Sequence, residues 1–348
     1  MRVSEKALQD AAQEILIRLG EEQANARLAA EALVGADMRG VTTHGVHLLR
    51  LVAQRVEAGM LSLPTRFETL KEDAATAVLD GNNGLGQVAA CRGIGLSAAK
   101  AKQAGLGMVV VRNTNNLGAL GYYSSQAASL HGVAAVVMTN GNPSVAPFGS
   151  ADPFFGTNPV SIAVPAAGGR ALVLDMSSSV VARGKIRLAA TSGENIPPGW
   201  ACDENGEHTT DPKRALKGSL LPLGGPKGSG LAMMIDILSG VLSGSSYGQG
   251  LKSFHELDGP TGVGTCFIAI DIGRFVDPGV FAETIGAYVR DIKGLRKRAG
   301  IDEILVPGEV ESLKEEENRR LGIDLPDSVA KSMNEILARH GSTTRVVA

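Results

Sequence analysis

The sequence predicts an α/β fold, and three observations carry that prediction. Residues 1–72 read as helix by apolar spacing, residues 73–277 alternate short β-like runs with helical stretches, and residues 278–348 return to helix. Two strand-like runs, VAAVVMT (133–139) and NPVSIAVP (158–165), enclose the long connection NGNPSVAPFGSADPFFGT. A connection of that length inside a domain is either functional or disordered. Phe148, Phe154 and Phe155, three of the eight Phe in the chain, argue for order. With Pro143, Pro147 and Pro153 stiffening it and Gly141, Gly149 and Gly156 permitting close approach, it reads as a surface beside a ligand or as a wide loop whose aromatics seal the core.

The elements follow in order. Residues 4–19 set Leu8, Ala11, Ala12, Ile15, Leu16 and Leu19 at helical spacing between Ser4, a candidate N-cap, and Gly20, a candidate C-cap. A second helix runs through Ala24, Leu28, Ala29, Ala32 and Leu33, and a third follows RGVTTHG (39–45) and ends near Gly59. ATAVLD (75–80), GMVVVR (107–112), ALVLD (171–175) and FIAIDIGRFVD (267–277) read as strands, the first two separated by a helix from Gln87 to Ala104. NTNNLGALGYYSSQAASLHG (113–132) is a polar turn opening into a helix, whereas Thr191 to Gly218 reads as surface excursions. LGGPKGSGLAMMIDILSGVLSG (223–244) is a glycine-rich turn feeding an apolar helix. Near the end, EVESLKEEENRRLG (309–322) is a solvated charged segment and SVAKSMNEILARH (328–340) is amphipathic.

Charged residues make up 20% of the 348 and apolar ones 44%, and the formal net charge of -2 is spread over interspersed signs. That leaves no electrostatic footprint for nucleic acid and points to a small-molecule partner. Cys91, Cys202 and Cys266 are odd in number and far apart, which argues against disulfides and zinc and fits a reducing cytoplasm. The opening MRVSEKALQDAAQ carries acids where an export signal needs an apolar stretch, and no run approaches a membrane span, so a cytoplasmic protein is expected.

Two glycine-rich turns invite a phosphate. GLGQVA (84–89) matches G-x-G-x-x-A between a strand and a helix, with Arg112 placed for a 2′-phosphate, although glycines that merely bring helix and sheet together would look the same. In the second, Gly228, Ser229 and Gly230 open a helix just after Lys227, so free N–H groups, the helix dipole and an ammonium converge. A plain helix start with an exposed lysine is the alternative. Asp175, followed by MSSSVVARGKIRLAA (176–190), offers a carboxylate, hydroxyls and amides at the usual ligand end of an α/β strand.

Taken in this order, RGVTTHG (39–45), GQVAA (86–90), FGTNPVSIAVP (155–165), LDMSSSVVARGKI (174–186), PPGWACDENGEHTTDP (197–212), GGPKGSGLAMMIDILSGVLSG (224–244) and VPGE (306–309) resemble the malate/L-lactate dehydrogenase family. That family is distinct from the Rossmann-type lactate and malate dehydrogenases. It also holds ureidoglycolate, sulfolactate and diketogulonate oxidoreductases and cyclic imino-acid reductases. The resemblance implies a mixed-sheet α/β fold without a Rossmann domain, a helical domain that the N- and C-terminal segments form together, and a homodimer. It further implies NAD or NADP as cofactor, held by Asn140, by Asp175, Met176 and Ser177, by Lys227, and by Val306, Pro307 and Gly308, and it demotes GLGQVA to packing. The apolar stripes of residues 8–19 and 328–340 are expected to contribute to the subunit contact.

Hydride transfer to or from a 2-hydroxy acid needs an acid/base for the carbinol proton and donors for the carboxylate. His44 matches the family's catalytic histidine, and an unperturbed histidine titrates at about 6.5. A lone histidine capping a turn is the bland alternative. His47 has no acidic neighbour to complete a metal pair. Three positions depart from the family pattern: Asn116 stands where many members have a second histidine, Leu48 where they have arginine, and Thr43 where they have serine. Asn116 can hydrogen-bond a carbonyl or imine but cannot move a proton as histidine does, while Arg50 offers a replacement charge for the substrate carboxylate. The reading is an NAD(P)-dependent oxidoreductase of a small 2-keto or 2-hydroxy carboxylic acid, with His44 and Asn116 in catalysis and Thr43, Arg50 and Asn116 on the substrate. Two alternatives stay open: a reductase of a cyclic or N-substituted imino acid, with Leu48 facing the ring, and a dinucleotide-binding protein without dehydrogenase activity.

Overall fold

The structure, a computed structural model, describes residues 1–347. It opens with β1 (Arg2–Val3), α1 (Glu5–Arg18) and α2 (Gln23–Met38), followed by two 3-10 turns at Thr42–His44 and Val46–Leu48 and then α3 (Leu49–Glu57). Ser4 caps α1 by accepting the Ala7 N–H at 3.2 Å. The stripe Leu8, Ala11, Ala12, Ile15 and Leu16 is buried against α2 and against α11 (Asp327–Arg339), which contributes Ala330, Met333, Ile336 and Leu337. Beside them β1 pairs antiparallel with β12 (Ile323–Asp324). Both apolar stripes expected at a subunit contact therefore lie inside the chain's own core, because each is the other's partner.

The main sheet has seven strands: β2 (Glu68–Glu72), β3 (Thr76–Asp80), β4 (Leu106–Thr114), β11 (Val263–Asp271), β5 (Val133–Thr139), β6 (Val160–Pro165) and β7 (Ala171–Met176), in that spatial order. Only β3 and β4 are parallel, joined by α4 (Gly86–Ala104), and the other neighbours are antiparallel. One face is covered by α4 and by α5 (Leu120–His131), where Val109, Val111, Val137 and Phe267 meet Ala90, Ile94 and Tyr123. On the other, Val110, Met138, Val160 and Cys266 meet Ile235 of α8 (Pro226–Asp236), which runs on as a π-turn at Ile237–Val241. Helix start and strand end meet closely at the GLGQVA turn: a Cβ on Gly86 would run into the carbonyls of Asn115 and Asn116. Arg112 is held by Asp80 at 2.7 Å.

Three expectations change in the structure. Glu68–Glu72 belongs to the main sheet rather than to the N-terminal helical segment, since it pairs with β3. Thr191 to Gly218 is no mere surface excursion: β8 (Ala201–Cys202), β9 (His208–Thr209) and β10 (Ser219–Leu220) form a small sheet, packed with α6 (Arg183–Ser192) and α7 (Pro212–Lys217) on a core of Val145, Phe155, Ile186, Ile196 and Leu220. Within the C-terminal segment, α10 (Glu309–Leu321) and α11 pack on the N-terminal helices, but α9 (Pro278–Lys293) buries no residue and lies against the turn Ala167–Gly169. The long loop is ordered by pairing of Val145 with Phe155 and Leu220, so Phe155 seals the small core while Phe148 stays exposed. Among the described residues no helix is long and apolar enough to cross a membrane.

Candidate active site

His44 ends the first 3-10 turn, half-buried, with Nδ1 3.0 Å from the Thr43 hydroxyl. Burial, with the positive charge available at His47, pushes its pKa down to about 4. The imidazole is thus neutral at neutral pH, instead of titrating there as an exposed histidine would. Beneath the turn lies Asp37, 4% exposed, whose Oδ2 accepts the Val46 N–H at 2.8 Å. Two segments dock on the same turn. A Cβ built on Gly118 would lie 3.3 Å from the His44 carbonyl oxygen, and one on Gly184 of α6 would lie 3.8 Å from the Thr43 methyl.

Gly118 belongs to the turn that carries Asn116. The Asn116 Oδ1 accepts the Gly118 N–H at 2.9 Å and its carbonyl accepts from Gln87 at 3.1 Å, which leaves the side-chain NH₂ without a partner among the described residues. Leu48 is buried in the core of the helical unit, so it cannot face a substrate ring as its apolar character had suggested. Arg50 is exposed on α3 and makes no hydrogen bond or ion pair among the described residues. Positive charge reaches the site from elsewhere. His255 is held low by burial, then by the neighbouring charges of Arg187 of α6 and of His47. The loop that carries His255 is gripped by the buried Arg55, whose guanidinium donates to the carbonyls of Ser253, Glu256 and Gly259 at 3.3, 2.6 and 2.6 Å. Sequence reading missed Asp37, Arg55 and Arg187. Asp37 left a faint signal, an acid on an otherwise apolar helix end seven residues before His44, and Arg55 left none.

The expected cofactor residues gather along β7. Asp175 caps the start of α5 by accepting the Gly121 N–H at 2.7 Å, and its pKa is raised, chiefly by surrounding protein and against the pull of that N–H and of Arg39. Met176 pairs with Val160, and Ser177 bonds Ser179. From there Ser178 accepts the Leu223 N–H at 2.9 Å and Val180 donates to Leu221 at 2.9 Å, which ties the strand's exit to the turn before α8. Gly224 and Gly225, at φ of 62° and 65°, make that turn, and a side chain would strain both. Lys227 follows as the second residue of α8, exposed and unpaired among the described residues. On the other flank Pro307 accepts the Val173 N–H at 3.4 Å, and a Cβ on Gly308 would lie 2.9 Å from the Val173 carbonyl, so Val306, Pro307 and Gly308 border the same strand. Asn140 is different. Its two side-chain N–H groups donate to Asp236 and to the Ser246 carbonyl, both at 2.9 Å, and its oxygen accepts the Gly264 N–H at 2.9 Å. The amide is a buried lock between β5, α8 and β11, with no N–H left for a coenzyme.

The strip from Lys227 through Ser177 to Gly308 fits a dinucleotide: an ammonium at a glycine-lined helix start, hydroxyls, and close backbone beside one strand. Asp175, within this strip, holds the start of α5, the helix that follows the Asn116 turn docked on His44. No group of three metal-ligating side chains occurs among the described residues.

Such a strip on a mixed sheet, with a histidine turn beside it, describes a nicotinamide-dependent oxidoreductase built without a Rossmann domain. The profile of the malate/L-lactate dehydrogenases matches residues 3–334. The malate dehydrogenase of Pyrococcus horikoshii is 37% identical over 337 residues, covering 94% of this chain and 92% of its own. The structure of the sulfolactate dehydrogenase of Methanocaldococcus jannaschii superposes with a TM-score of 0.92 at 33% identity, covering 98% of each chain. That of the delta1-piperideine-2-carboxylate reductase of Pseudomonas syringae gives 0.86 at 28%, covering 97% of this chain and 99% of its own. The chain belongs to the malate/L-lactate dehydrogenase family and is an NAD(P)-dependent dehydrogenase.

Proposed function

We propose that the protein transfers hydride between NAD or NADP and C2 of a small 2-keto or 2-hydroxy carboxylic acid, with His44 as the acid/base. The observation that supports this reading is the docking of the Asn116 turn on the His44 turn, where Gly118 packs on the His44 carbonyl and the Asn116 NH₂ has no partner among the described residues. The nicotinamide, when bound, gives or takes the hydride. With Nδ1–H donated to the Thr43 hydroxyl, His44 Nε2 carries the lone pair that accepts the carbinol proton during oxidation. Asn116 donates to the carbonyl or imine, and Arg187, close enough to His255 to add to burial in holding its pKa down, takes the role of carboxylate partner first given to Arg50. Lys227 holds the diphosphate, with Ser177 and Gly308 along its length.

Coenzyme oxidation followed at both NADH and NADPH against a panel of 2-keto acids and cyclic imines tests the reading. Turnover of 2-keto acids supports it, turnover of cyclic imines alone moves the substrate to imino acids, and tight coenzyme binding without turnover of either sinks it. Replacing Lys227 by Ala is expected to weaken coenzyme binding by ~1.5–3 kcal/mol, the worth of one charge-assisted hydrogen bond. A fluorescence titration giving an unchanged Kd would refute that role.

We further infer a homodimer working in the cytoplasm, the compartment that suits three unpaired cysteines. With the terminal stripes occupied, the subunit contact moves to apolar surface left open on α8, on its π-turn and on the outer strands β6 and β7: Leu231, Met234, Ile237, Val241, Ile162 and Leu174. Light scattering should give twice the 36.0 kDa chain mass, and Met234→Lys should lower it. A monomer at micromolar concentration would count against the assembly.

A further inference from the structure

We infer that Asp37 is the positioning residue of the acid/base turn, and that Asp37 and Gly45 act as a matched pair which fixes where the His44 imidazole stands. The inference rests on the reading of His44 as the acid/base. Its ground is the contact between the two residues. A Cβ on Gly45 would fall deep within the van der Waals radius of both Asp37 carboxylate oxygens, so only glycine lets the carboxylate reach this backbone. There Oδ2 accepts the Val46 N–H at 2.8 Å, satisfying an otherwise free donor at the start of the second 3-10 turn. His44 is separated from that N–H only by Gly45, so the hydrogen bond sets the plane in which the imidazole leaves the chain.

The support is itself held from below. Asn318 of α10 donates to the carbonyls of Asp37 and Met38 at 3.3 and 2.9 Å, and the Val41 N–H donates to Ala36 at 2.9 Å, so the end of α2 is anchored before the turn begins. Burial pushes the Asp37 pKa up to about 7, with the Val46 N–H opposing it. A neutral carboxylic acid still accepts through its carbonyl oxygen, so the contact does not need a charge, and Asn is an adequate mimic of it.

The test uses the full chain with saturating NADH and four variants. Asp37→Ala is expected to lower kcat by about 10–10²-fold, the scale of a misplaced catalytic group, with little change in KM or coenzyme Kd. Asp37→Asn should recover most of the loss. Gly45→Ala should be severely impaired in the native background yet add little to Asp37→Ala, since the space it needs has then been vacated. Equal penalties for Gly45→Ala in both backgrounds, or no recovery by Asn, would overturn the pairing. Should Asp37→Ala fail to fold, the Asn and Gly45 variants carry the test. The imidazole resonance of His44, identified by its loss in His44→Ala, should shift in Asp37→Ala and hold in Asp37→Asn. That readout separates the two ideas: full activity in His44→Ala removes the acid/base reading, whereas an unmoved resonance in Asp37→Ala removes the inference.

Discussion

His44→Ala is expected to lower kcat/KM by ~10²–10⁴-fold while leaving coenzyme affinity intact, because it removes the group proposed as the acid/base. Asn116→Ala should cost less. Its Oδ1 holds the turn and its NH₂ can orient a carbonyl, and one orienting hydrogen bond contributes only ~0.5–1.5 kcal/mol. The pH profile carries a sign as well. With His44 held at about 4, oxidation needs the neutral base and should rise through that pH and be level by neutrality. Reduction needs the imidazolium and should decline by about tenfold per pH unit above it in the free enzyme. Steady-state kinetics of both variants in both directions decide the matter. An Asn116→Ala variant as inactive as His44→Ala, with coenzyme still bound, would end the single-base mechanism.

The second large effect is expected at Arg55, a fully buried guanidinium with no carboxylate on it among the described ion pairs. It forks to the carbonyls of Ser253, Phe254, Glu256, Gly259 and Met60 and stacks on the Phe254 ring at 5.3 Å. Arg55→Leu keeps the bulk but strands those carbonyls, at a cost of about 3 kcal/mol or more. For a chain of this size that corresponds to a fall in melting temperature of roughly 4 °C or more. Because the same loop carries His255, activity should decline along with stability. Arg55→Lys, a point charge without the fork, should recover only part of either. A thermal melt in which Arg55→Leu matches the parent protein would show the grip to be energetically idle.

How much of this was legible in the sequence follows from what each feature depends on. The strands 133–139 and 171–176 declared themselves through β-branched runs, and α1 through its apolar period and its serine cap. The two-residue strands of the small sheet did not, because a pair of residues is too short to show a period and their pairing depends on partners far along the chain. Among the residues proposed for the site, Lys227 and Asp175 drew notice by residue type and neighbours, whereas His44 did so only through the family resemblance. Leu48 misled because exposure is decided by packing: at the position of the family's arginine it suggested an apolar wall for a substrate ring, and the fold turned it into the helical core. Asn140 entered through the family resemblance alone, and nothing in its neighbours signalled that the fold would take both side-chain N–H groups for Asp236 and Ser246.

The pairing of the chain's first helix with its last has a consequence for how the protein is made. Residues 2–16 leave the ribosome more than 300 residues ahead of β12 and α11, which they contact. At ordinary elongation rates of roughly 5–20 residues per second, the Leu8, Ile15 and Leu16 stripe waits roughly 15–60 s for those partners. Meanwhile the sheet from β2 to β11 is complete once Asp271 has emerged, and all its strand contacts lie within the chain already made. The α/β body can therefore fold while the helical unit that carries His44 still waits for α11 to emerge. In a growing chain the strip proposed for the coenzyme thus forms before the His44 turn is set, and a chain stalled ahead of β12 exposes a greasy helix that chaperones would be expected to hold.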